Sequence, residues 1–284
     1  MLAFVTSLRH PRNSGDYHRV EQLLDDTLRS LLRQDHDDFG IWVVGNREPA
    51  RLPAGVHYVG VDFPPPSTKT GPRTGRAAVL LDKGTKLVIG LLAARSAGAS
   101  HVMFVDADDF VSRRLSGLVA GDPRANGWYV ERGWRYNAER SAVRPQRRFH
   151  TRCGTAHIVR TDLFGEFADM DVRSTQAQLQ ETLGNRLERV FGSHLHIADD
   201  LARAGTPLQP IPFPAALYRL GTGENHSWNG MGGFGRPITQ AIAEEFGVEP
   251  TTRNVGAVVR AVSPGGAAVR QIVQRLRALT ERAH

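Results

Sequence analysis

The stretch HVMFVDADD, residues 101–109, decides the fold. The run His101–Val105 predicts a buried strand, and three aspartates follow it directly: Asp106, Asp108 and Asp109. In open α/β sheets, ligands bind beyond the carboxyl ends of the strands. Several carboxylates at one such end repel each other unless a cation or strong donors offset their charge. The stretch therefore predicts a site for Mn²⁺ or Mg²⁺ that can bridge a diphosphate, with an Asp-rich turn or helix cap as the alternative.

Strands and helices alternate along the chain before this stretch. Short apolar runs predict strands, and apolar residues at helical spacing predict helices. The predicted strands are Leu2–Ser7, Ile41–Val44 and Val56–Val61. The predicted helices are about Tyr17–Gln34 and a second one that ends near Gly98. This alternation predicts an α/β fold with a Rossmann-like, mostly parallel central sheet flanked by helices.

The second half of the sequence is less regular. We expect strands at Gly127–Trp134, at Thr155–Arg160 and, as an edge strand, at Ala215–Leu220, and helices at Thr175–Phe191 and Asp199–Ala204. His194 and His196 alternate with two apolar residues, which favours a strand with one polar face. Apolar residues from Val269 to Leu279 recur at helical spacing and predict an amphipathic, arginine-bearing helix at the C-terminus.

Positive charge is concentrated in two segments, although the net charge of the chain is only +7. Residues 132–152 carry seven arginines against Glu139, and residues 251–284 carry six arginines against Glu281. Basic surface favours anionic partners, namely phosphorylated substrates, a membrane surface or nucleic acid. The alternative is a solvated arginine-rich face.

Cysteine content and hydropathy bear on the location of the protein. The single cysteine, Cys153, cannot form an intrachain disulfide, which fits a reducing compartment. The longest near-apolar stretch, Ala77–Gly98, contains four charged residues and is a poor membrane span. We therefore expect a soluble, cytoplasmic protein, with a peripheral contact at the inner membrane face through the basic C-terminal helix.

Polar side chains are expected to meet at the edge of the sheet where the aspartates lie. Thr6 and Ser7 end the first strand, and Asp62 ends a neighbouring one. Lys83 and Lys86 lie three apart on the helix before the aspartate stretch and can point together toward an anion. Such a cleft suits a nucleotide diphosphate, although for either lysine taken alone a solvated helix face is the favoured interpretation.

The motifs together resemble those of a known enzyme family. Lys83–Lys86, Gly90-Leu91, Ala97–Ala99 and His101–Asp109 resemble the nucleotide-sugar half of family 2-like glycosyltransferases of the GT-A fold. The resemblance covers roughly residues 2–227. It implies a GT-A domain over residues 1–235, with a nucleotide-binding half (1–110) and an acceptor half (111–235), followed by a basic helical extension over residues 236–284.

The resemblance also implies roles for individual residues in binding the donor. Thr6, Ser7 and Asp62 match positions that hold the base and ribose, and Arg9 is placed to reach the nucleotide. Lys83 and Lys86 match a basic position near the ribose and phosphates. Asp106 would face the ribose or a metal-bound water, and Asp108 would bind the metal.

Downstream residues resemble the acceptor side of the same enzymes. Gly154–Ala156 resembles a small-residue segment that lines this side. The acidic pair before Leu201 resembles the motif that supplies the general base of inverting members, and an acceptor hydroxyl needs such a base. Asp200 is the favoured base and Asp199 the second candidate, with helix capping by Asp199 as the alternative. His226 matches a position that completes the metal site, and the alternative is an ordinary loop histidine.

The sequence thus predicts a metal-dependent glycosyltransferase. It would move a sugar from a nucleotide-diphosphate sugar to an acceptor hydroxyl, with inversion; a retaining reaction stays open. A haloacid dehalogenase-type phosphohydrolase is disfavoured because its motif needs Thr or Val where this chain has Phe110. The remaining alternative is a non-catalytic, arginine-rich protein that binds carbohydrate or nucleic acid, although the chain has no nucleic-acid motif.

Overall fold

A large, mostly parallel sheet forms the centre of the molecule. The structure, a computed structural model, describes residues 1–69, 71, 74–167, 169–224, 231–252 and 254–264. The seven strands of this sheet run in the order β10-β6-β9-β4-β1-β2-β3. They are β1 (Leu2–Ser7), β2 (Phe39–Gly45), β3 (Val56–Gly60), β4 (His101–Asp106), β6 (Gly127–Tyr129), β9 (His157–Arg160) and β10 (Gln209–Pro210). The neighbours from β4 to β3 are parallel, and β9 is antiparallel to both β4 and β6.

Helices cover both faces of the central sheet. Helix α1 (Tyr17–Leu31) begins after Asp16, whose side chain accepts the His18 N–H, and α2 (Arg76–Ser96) leads into β4. Successive residues of a strand point to opposite faces. Leu2 and Phe4 therefore pack in the core on the α1 side, whereas Ala3 and Val5 pack on the α2 side. The predicted α/β fold with a mostly parallel central sheet is confirmed.

A smaller, mixed sheet lies beside the carboxyl end of β4. Its order is β12-β8-β7-β11-β5. The strands are β5 (Phe110–Val111), β7 (Arg132–Asn137), β8 (Ala142–Arg147), β11 (Ala216–Leu220) and β12 (Arg236–Pro237). The other described helices are α3 (Leu115–Gly121), α4 (Gln176–Leu183), α5 (Ile197–Arg203), α6 (Gln240–Phe246) and α7 (Val255–Val262). A π-helical segment spans Leu187–Gly192, and short 3-10 turns span Pro11–Asn13, Phe149–Thr151 and Thr161–Phe164.

Two predicted elements are divided in the structure. The expected strand Gly127–Trp134 is two strands, because the chain leaves the larger sheet after β6 and enters the smaller sheet at β7. The expected helix Thr175–Phe191 ends at α4, because Gly184 turns the backbone with a φ of +48° before the π-helical segment begins.

Two further predictions about strands were wrong: one expected strand does not form, and another is not at the edge of its sheet. His194 and His196 do not lie on a strand, since α5 begins at Ile197 directly after them. The alternation there matched a strand by coincidence over a few residues. The expected edge strand Ala215–Leu220 forms β11, which lies between β7 and β5 rather than at an edge.

The first part of the predicted C-terminal extension packs on the smaller sheet. Strand β12 pairs with β8, and Ala243 and Phe246 of α6 join a buried cluster with Phe110, Val143 and Leu217. The boundary at residue 235 stays a prediction. The predicted helix through Val269–Leu279 lies outside the described residues. Among the helices described, none is long and apolar enough to cross a membrane.

Candidate functional site

A cavity of about 450 Å³ opens beyond the carboxyl end of β4. Charged side chains of both signs line it. The cations are Arg9, Arg76, Lys83 and Arg152, and the carboxylates are Asp106, Asp108 and Glu224. The central sheet thus presents its aspartates where ligands of open α/β sheets bind.

Asp106 is held at the end of β4 by an ion pair with Lys83. Burial opposes ionisation of Asp106, but the Lys83 ammonium outweighs it and lowers the pKa of the carboxyl group. The backbone N–H of Asp106 donates to Thr155 Oγ1 at 2.9 Å. A Cβ added at Gly154 would lie 2.6 Å from Asp106 Oδ2 and 3.0 Å from Lys83 Nζ. Glycine at position 154 therefore lets the segment approach this ion pair, and it lines the cavity.

Asp108 lines the same cavity and shares the crowded negative charge. Burial and the charge of Asp106 raise the pKa of Asp108 to about 7. Thr222 Oγ1 lies 3.5 Å from Asp108 Oδ2. A carboxylate whose pKa is raised in this way is one that a bound cation would return to its ionised form.

Asp109 is fully buried and accepts three hydrogen bonds. It accepts from Cys153 Sγ at 2.9 Å, from Thr155 Oγ1 at 2.6 Å and from the Arg219 backbone N–H at 3.0 Å. Burial and the charge of Asp108 raise the pKa of Asp109 well above its usual range. These contacts join the end of β4 to residues 153–155 and to β11, so Asp109 positions the carboxylates that line the cavity.

The candidate metal-binding groups can be compared with this geometry. One oxygen each of Asp106 and Asp109 and the sulfur of Cys153 lie within 4.8 Å of one another. The Asp109 oxygens are already engaged, whereas Asp106 and Asp108 line the cavity. Carboxylate oxygens are the ligands that Mn²⁺ and Mg²⁺ prefer. Asp106, which is paired with Lys83, and Asp108 therefore present to the cavity the kind of oxygen ligand that a hard divalent cation takes.

Several sequence-predicted donor residues lie away from the larger cavity. Lys86 is fully buried, and its Nζ donates to Leu8 O at 2.9 Å and to Asp82 Oδ2 at 2.8 Å. Thr6 is also fully buried, and Asp62 is exposed and lines neither of the two cavities described. Ser7 lines an adjoining cavity of about 120 Å³, together with Arg9 and Lys83.

The predicted bases lie on the first turn of α5, outside both of these cavities. Asp200 forms ion pairs with Arg189 and Arg203, each at 2.8 Å. The hydrogen bond from Arg189 is the main cause that lowers the pKa of Asp200. Asp199 is exposed, and the predicted metal ligand His226 lies outside the described residues.

Comparisons with known proteins find similarity in structure only. No family model matches the chain, and a search of curated proteins finds no match. TarS 1-349 of S. aureus matches at 12% identity over 77% of this chain and 60% of that one, with a TM-score of 0.42. A putative nucleotide-diphospho-sugar transferase from Desulfovibrio desulfuricans G20 matches at 12% identity over 77% and 80%, with a TM-score of 0.32. Rv0371c from Mycobacterium tuberculosis H37Rv matches at 11% identity over 77% and 88%, also at 0.32.

These similarities are weak, and this chain spans about 60% of the length of the TarS fragment. TarS has been solved with UDP-GlcNAc and Rv0371c with manganese, which are properties of those proteins. The matched structures include the class of protein that the sequence resembles. At identities of 10–12% and TM-scores below 0.5, no substrate or residue role transfers to this chain.

Some residues of the site had no signal in the sequence. Arg76, Arg152 and His194 line the cavity but come from segments far apart along the chain. Glu224 also lines it, and its Oε2 accepts from Arg9 Nη1 at 2.7 Å. Its Oε1 accepts the backbone N–H groups of Gly15 and Asp16 at 2.9 and 3.1 Å. Only the folded chain brings these residues together; of the four, Arg152 belongs to the arginine-rich segment 132–152, but its place in this cavity could not be read from the sequence.

Proposed function

We propose that this chain is a glycosyltransferase that binds a nucleotide-diphosphate sugar through a divalent cation and passes the sugar to an acceptor hydroxyl. One observation carries the proposal. Asp106 and Asp108 line a cavity of about 450 Å³ at the carboxyl end of a central strand, and four cationic side chains share that cavity. Cavities of roughly 300–1,000 Å³ are typical of small-molecule sites.

The proposed metal is Mn²⁺ or Mg²⁺. Asp108 would hold it together with Asp106, and His226 is the further proposed ligand. When bound, the ion would neutralise negative charge on the leaving diphosphate. The raised pKa of Asp108 supports this assignment, because crowded buried carboxylates are stabilised by a cation.

The cations of the cavity would hold the diphosphate. Among the described residues, Arg76 and Arg152 form no ion pair, so their guanidinium groups are available to phosphate oxygens. Lys83 is paired with Asp106, and Arg9 with Glu224. Ser7 lines the adjoining cavity and is the proposed contact for the nucleoside. Thr6, which is fully buried, and Asp62, which lines neither cavity, stay predictions from the sequence alone.

Asp200 is the proposed general base and Asp199 the second candidate. In an inverting displacement the acceptor oxygen attacks the anomeric carbon, its proton passes to the carboxylate, and the nucleoside diphosphate leaves. Helix α5, which carries Asp200, begins at Ile197, three residues after His194 of the cavity wall. To take the proton, Asp200 must exchange its contact with Arg189 for the acceptor hydroxyl.

Turnover of nucleotide-diphosphate sugars tests the proposal. A panel of UDP-, GDP-, dTDP- and CDP-sugars is incubated with Mn²⁺, with Mg²⁺ or with EDTA, and nucleoside diphosphate release is followed by mass spectrometry. We expect release from one donor, lost in EDTA. Absence of release from every donor, together with absence of nucleotide binding, would contradict the proposal.

Substitution of Asp200 tests the assigned base. Asp200→Asn should lower transfer by about 10²-fold or more, because that is the usual contribution of a positioned base, while nucleotide binding persists. Asp199→Asn is the matched control on the same helix turn. Equal transfer rates in the parent protein and Asp200→Asn would remove Asp200 as the base, and a loss confined to Asp199→Asn would move the role to its neighbour.

The arginine-rich segment 132–152 favours a second candidate, a non-catalytic protein that binds carbohydrate or nucleic acid. That candidate requires salt-dependent affinity for RNA or DNA without metal-dependent nucleotide binding.

A further inference from the structure

One face of the smaller sheet carries arginines that the proposed donor site does not use. Along β7 and β8, successive side chains point to alternate faces. Tyr136 and Val143 are partners in register and pack into the buried cluster on one face. Arg135 and Arg144 are also partners in register, one residue away on each strand, so they share the opposite face. Tyr218 of β11 is in register with Arg135 and extends this row across the sheet.

The row formed by Arg144, Arg135 and Tyr218 reaches the larger cavity at Tyr218. Tyr218 lines that cavity, and so does Arg152. Burial lowers the pKa of Arg135, and the positive charges of Arg144 and Arg152 lower it further. Arg144 is exposed and donates to the Gly232 carbonyl at 2.7 Å, and within the described residues neither it nor Arg152 forms an ion pair.

Like charges on neighbouring strands beside a cavity are offset most directly by an anion. A guanidinium group presents paired N–H donors that match phosphate oxygens, and two neighbouring guanidinium groups can hold one phosphate. We propose that the acceptor carries a phosphate group, which Arg135 and Arg144 bind beside Tyr218. This inference rests on the proposed function, because it names the acceptor of that same site.

The same two strands provide a matched control. Arg132 and Arg147 are partners in register on the other face, and both are exposed. Arg132 donates to the Pro212 carbonyl, as Arg144 does to Gly232. The double variants R135Q/R144Q and R132Q/R147Q therefore each remove two positive charges, from opposite faces of the same two strands, and each pair includes an arginine that donates to a backbone carbonyl.

Binding of two phosphate probes tests the inference. The probes are fluorescein-labelled linear polyphosphate, measured by anisotropy, and phosphatidylcholine vesicles with and without phosphatidylglycerol, measured by co-sedimentation. We expect R135Q/R144Q to weaken binding about ten-fold or more and R132Q/R147Q less than about two-fold. Polyphosphate binding would indicate a soluble phosphorylated acceptor, and vesicle binding a lipid headgroup; either supports the inference when it depends on Arg135 and Arg144.

Three results would overturn it: equal weakening in both double variants, no binding of either probe by the parent protein, or tighter binding of a single-stranded RNA than of polyphosphate. Thermal stabilisation by nucleotide with Mn²⁺ is measured on the same samples. If that stabilisation is absent while phosphate binding still depends on the pair, the proposed function fails and the phosphate site stands. Should R135Q/R144Q fail to fold, Arg144→Gln alone carries the comparison against Arg147→Gln.

Discussion

At the scale of single residues, the site depends on carboxylates whose pKa values the fold shifts in opposite directions. Lys83 holds the pKa of Asp106 low, whereas burial and neighbouring charge raise the pKa of Asp108 to about 7. Asp109 is enclosed by hydrogen bonds from Cys153 and Thr155. The sequence identified the three aspartates as a group. It could not predict which of their pKa values rise and which fall, because the groups that shift these values come from α2 and from residues 153–155.

His157 provides a prediction about acid stability. It is 4% exposed, and both ring nitrogens are buried with no hydrogen-bond partner among the residues that the structure describes. Burial, followed by the charges of His194 and His150, lowers the pKa of His157 from 6.5 to about 3. Below pH 6.5 the unfolded chain therefore binds a proton at this histidine, whereas the folded chain binds it only near pH 3. This contribution to the free energy of unfolding is complete above pH 6.5 and is lost as the pH falls.

His157→Leu removes that proton. Between pH 6.5 and about 4, the free energy of unfolding of the variant should fall less than that of the parent protein. Urea unfolding of both proteins at several pH values measures this difference. This difference isolates the contribution of His157 from that of Asp108. The raised pKa of Asp108 increases the free energy of unfolding as the pH falls over the same range, which is the opposite direction. Parallel curves for parent and variant would contradict the assignment.

At the scale of elements, α2 and the π-helical segment pack backbone against backbone. A Cβ added at Gly84 would lie 2.4 Å from Leu187 O, and one added at Gly192 would lie 2.3 Å from Leu80 O. Gly192 also lines the cavity, so this close packing sets the position of the cavity wall. The two glycines were not identified from the sequence, because their close approach joins residues about a hundred positions apart.

Gly84→Ala tests this packing. Neither backbone can yield locally, so we expect a loss of about 1–3 kcal/mol, as for overpacked cores. Gly121→Ala is the control, since that glycine also lies in a helix but an added Cβ meets nothing within 4 Å. The control should be neutral or slightly stabilising. Equal stability of the two variants in urea unfolding would show that the segments are not in close contact.

The elements of the first half were predicted within a few residues, and so were β9, α5 and β11 in the second half. The strand expected over residues 127–134 and the helix expected over residues 175–191 are each divided. Helix α1 separates β1 from β2, and α2 separates β3 from β4, so periodicity and turn residues define each element locally. From Gly127 onward the chain passes between two sheets, and no local pattern marks where it crosses. The candidate site follows the same division. Asp106, Asp108, Lys83 and Arg9 were identified from the first half, whereas Arg152, His194 and Glu224 were not.

At the scale of the whole molecule, residues beyond 235 contribute to the core of the smaller sheet. Phe246 of α6 is 2% exposed and packs in the cluster that holds Phe110, Val143 and Leu217. Arg114 Nε lies 2.8 Å from Glu245 Oε1, which ties α6 to the segment after β5. The sequence predicted this part of the chain as an appendage, because its basic composition does not reveal where its apolar side packs.

Phe246→Ala should therefore cost about 3–5 kcal/mol, as other buried phenylalanines do when truncated. Phe234→Ala is the control, since that ring is 74% exposed, and its truncation should change stability by less than about 0.5 kcal/mol. Chemical unfolding measures both. A small effect at Phe246 would mean that α6 does not belong to the core.

Binding of nucleotides to the parent protein and to Asp108→Asn tests the central claim most directly. Thermal unfolding is measured with UDP, GDP, dTDP and CDP, each with Mn²⁺, with Mg²⁺ or with EDTA, and Asp37→Asn, at an exposed aspartate, is the control. Ligand binding to the folded state raises the melting temperature. We predict a shift with one nucleotide that EDTA and Asp108→Asn abolish and Asp37→Asn retains. No shift with any nucleotide in the folded parent protein, or a shift that is the same in EDTA and in Asp108→Asn, would contradict the account.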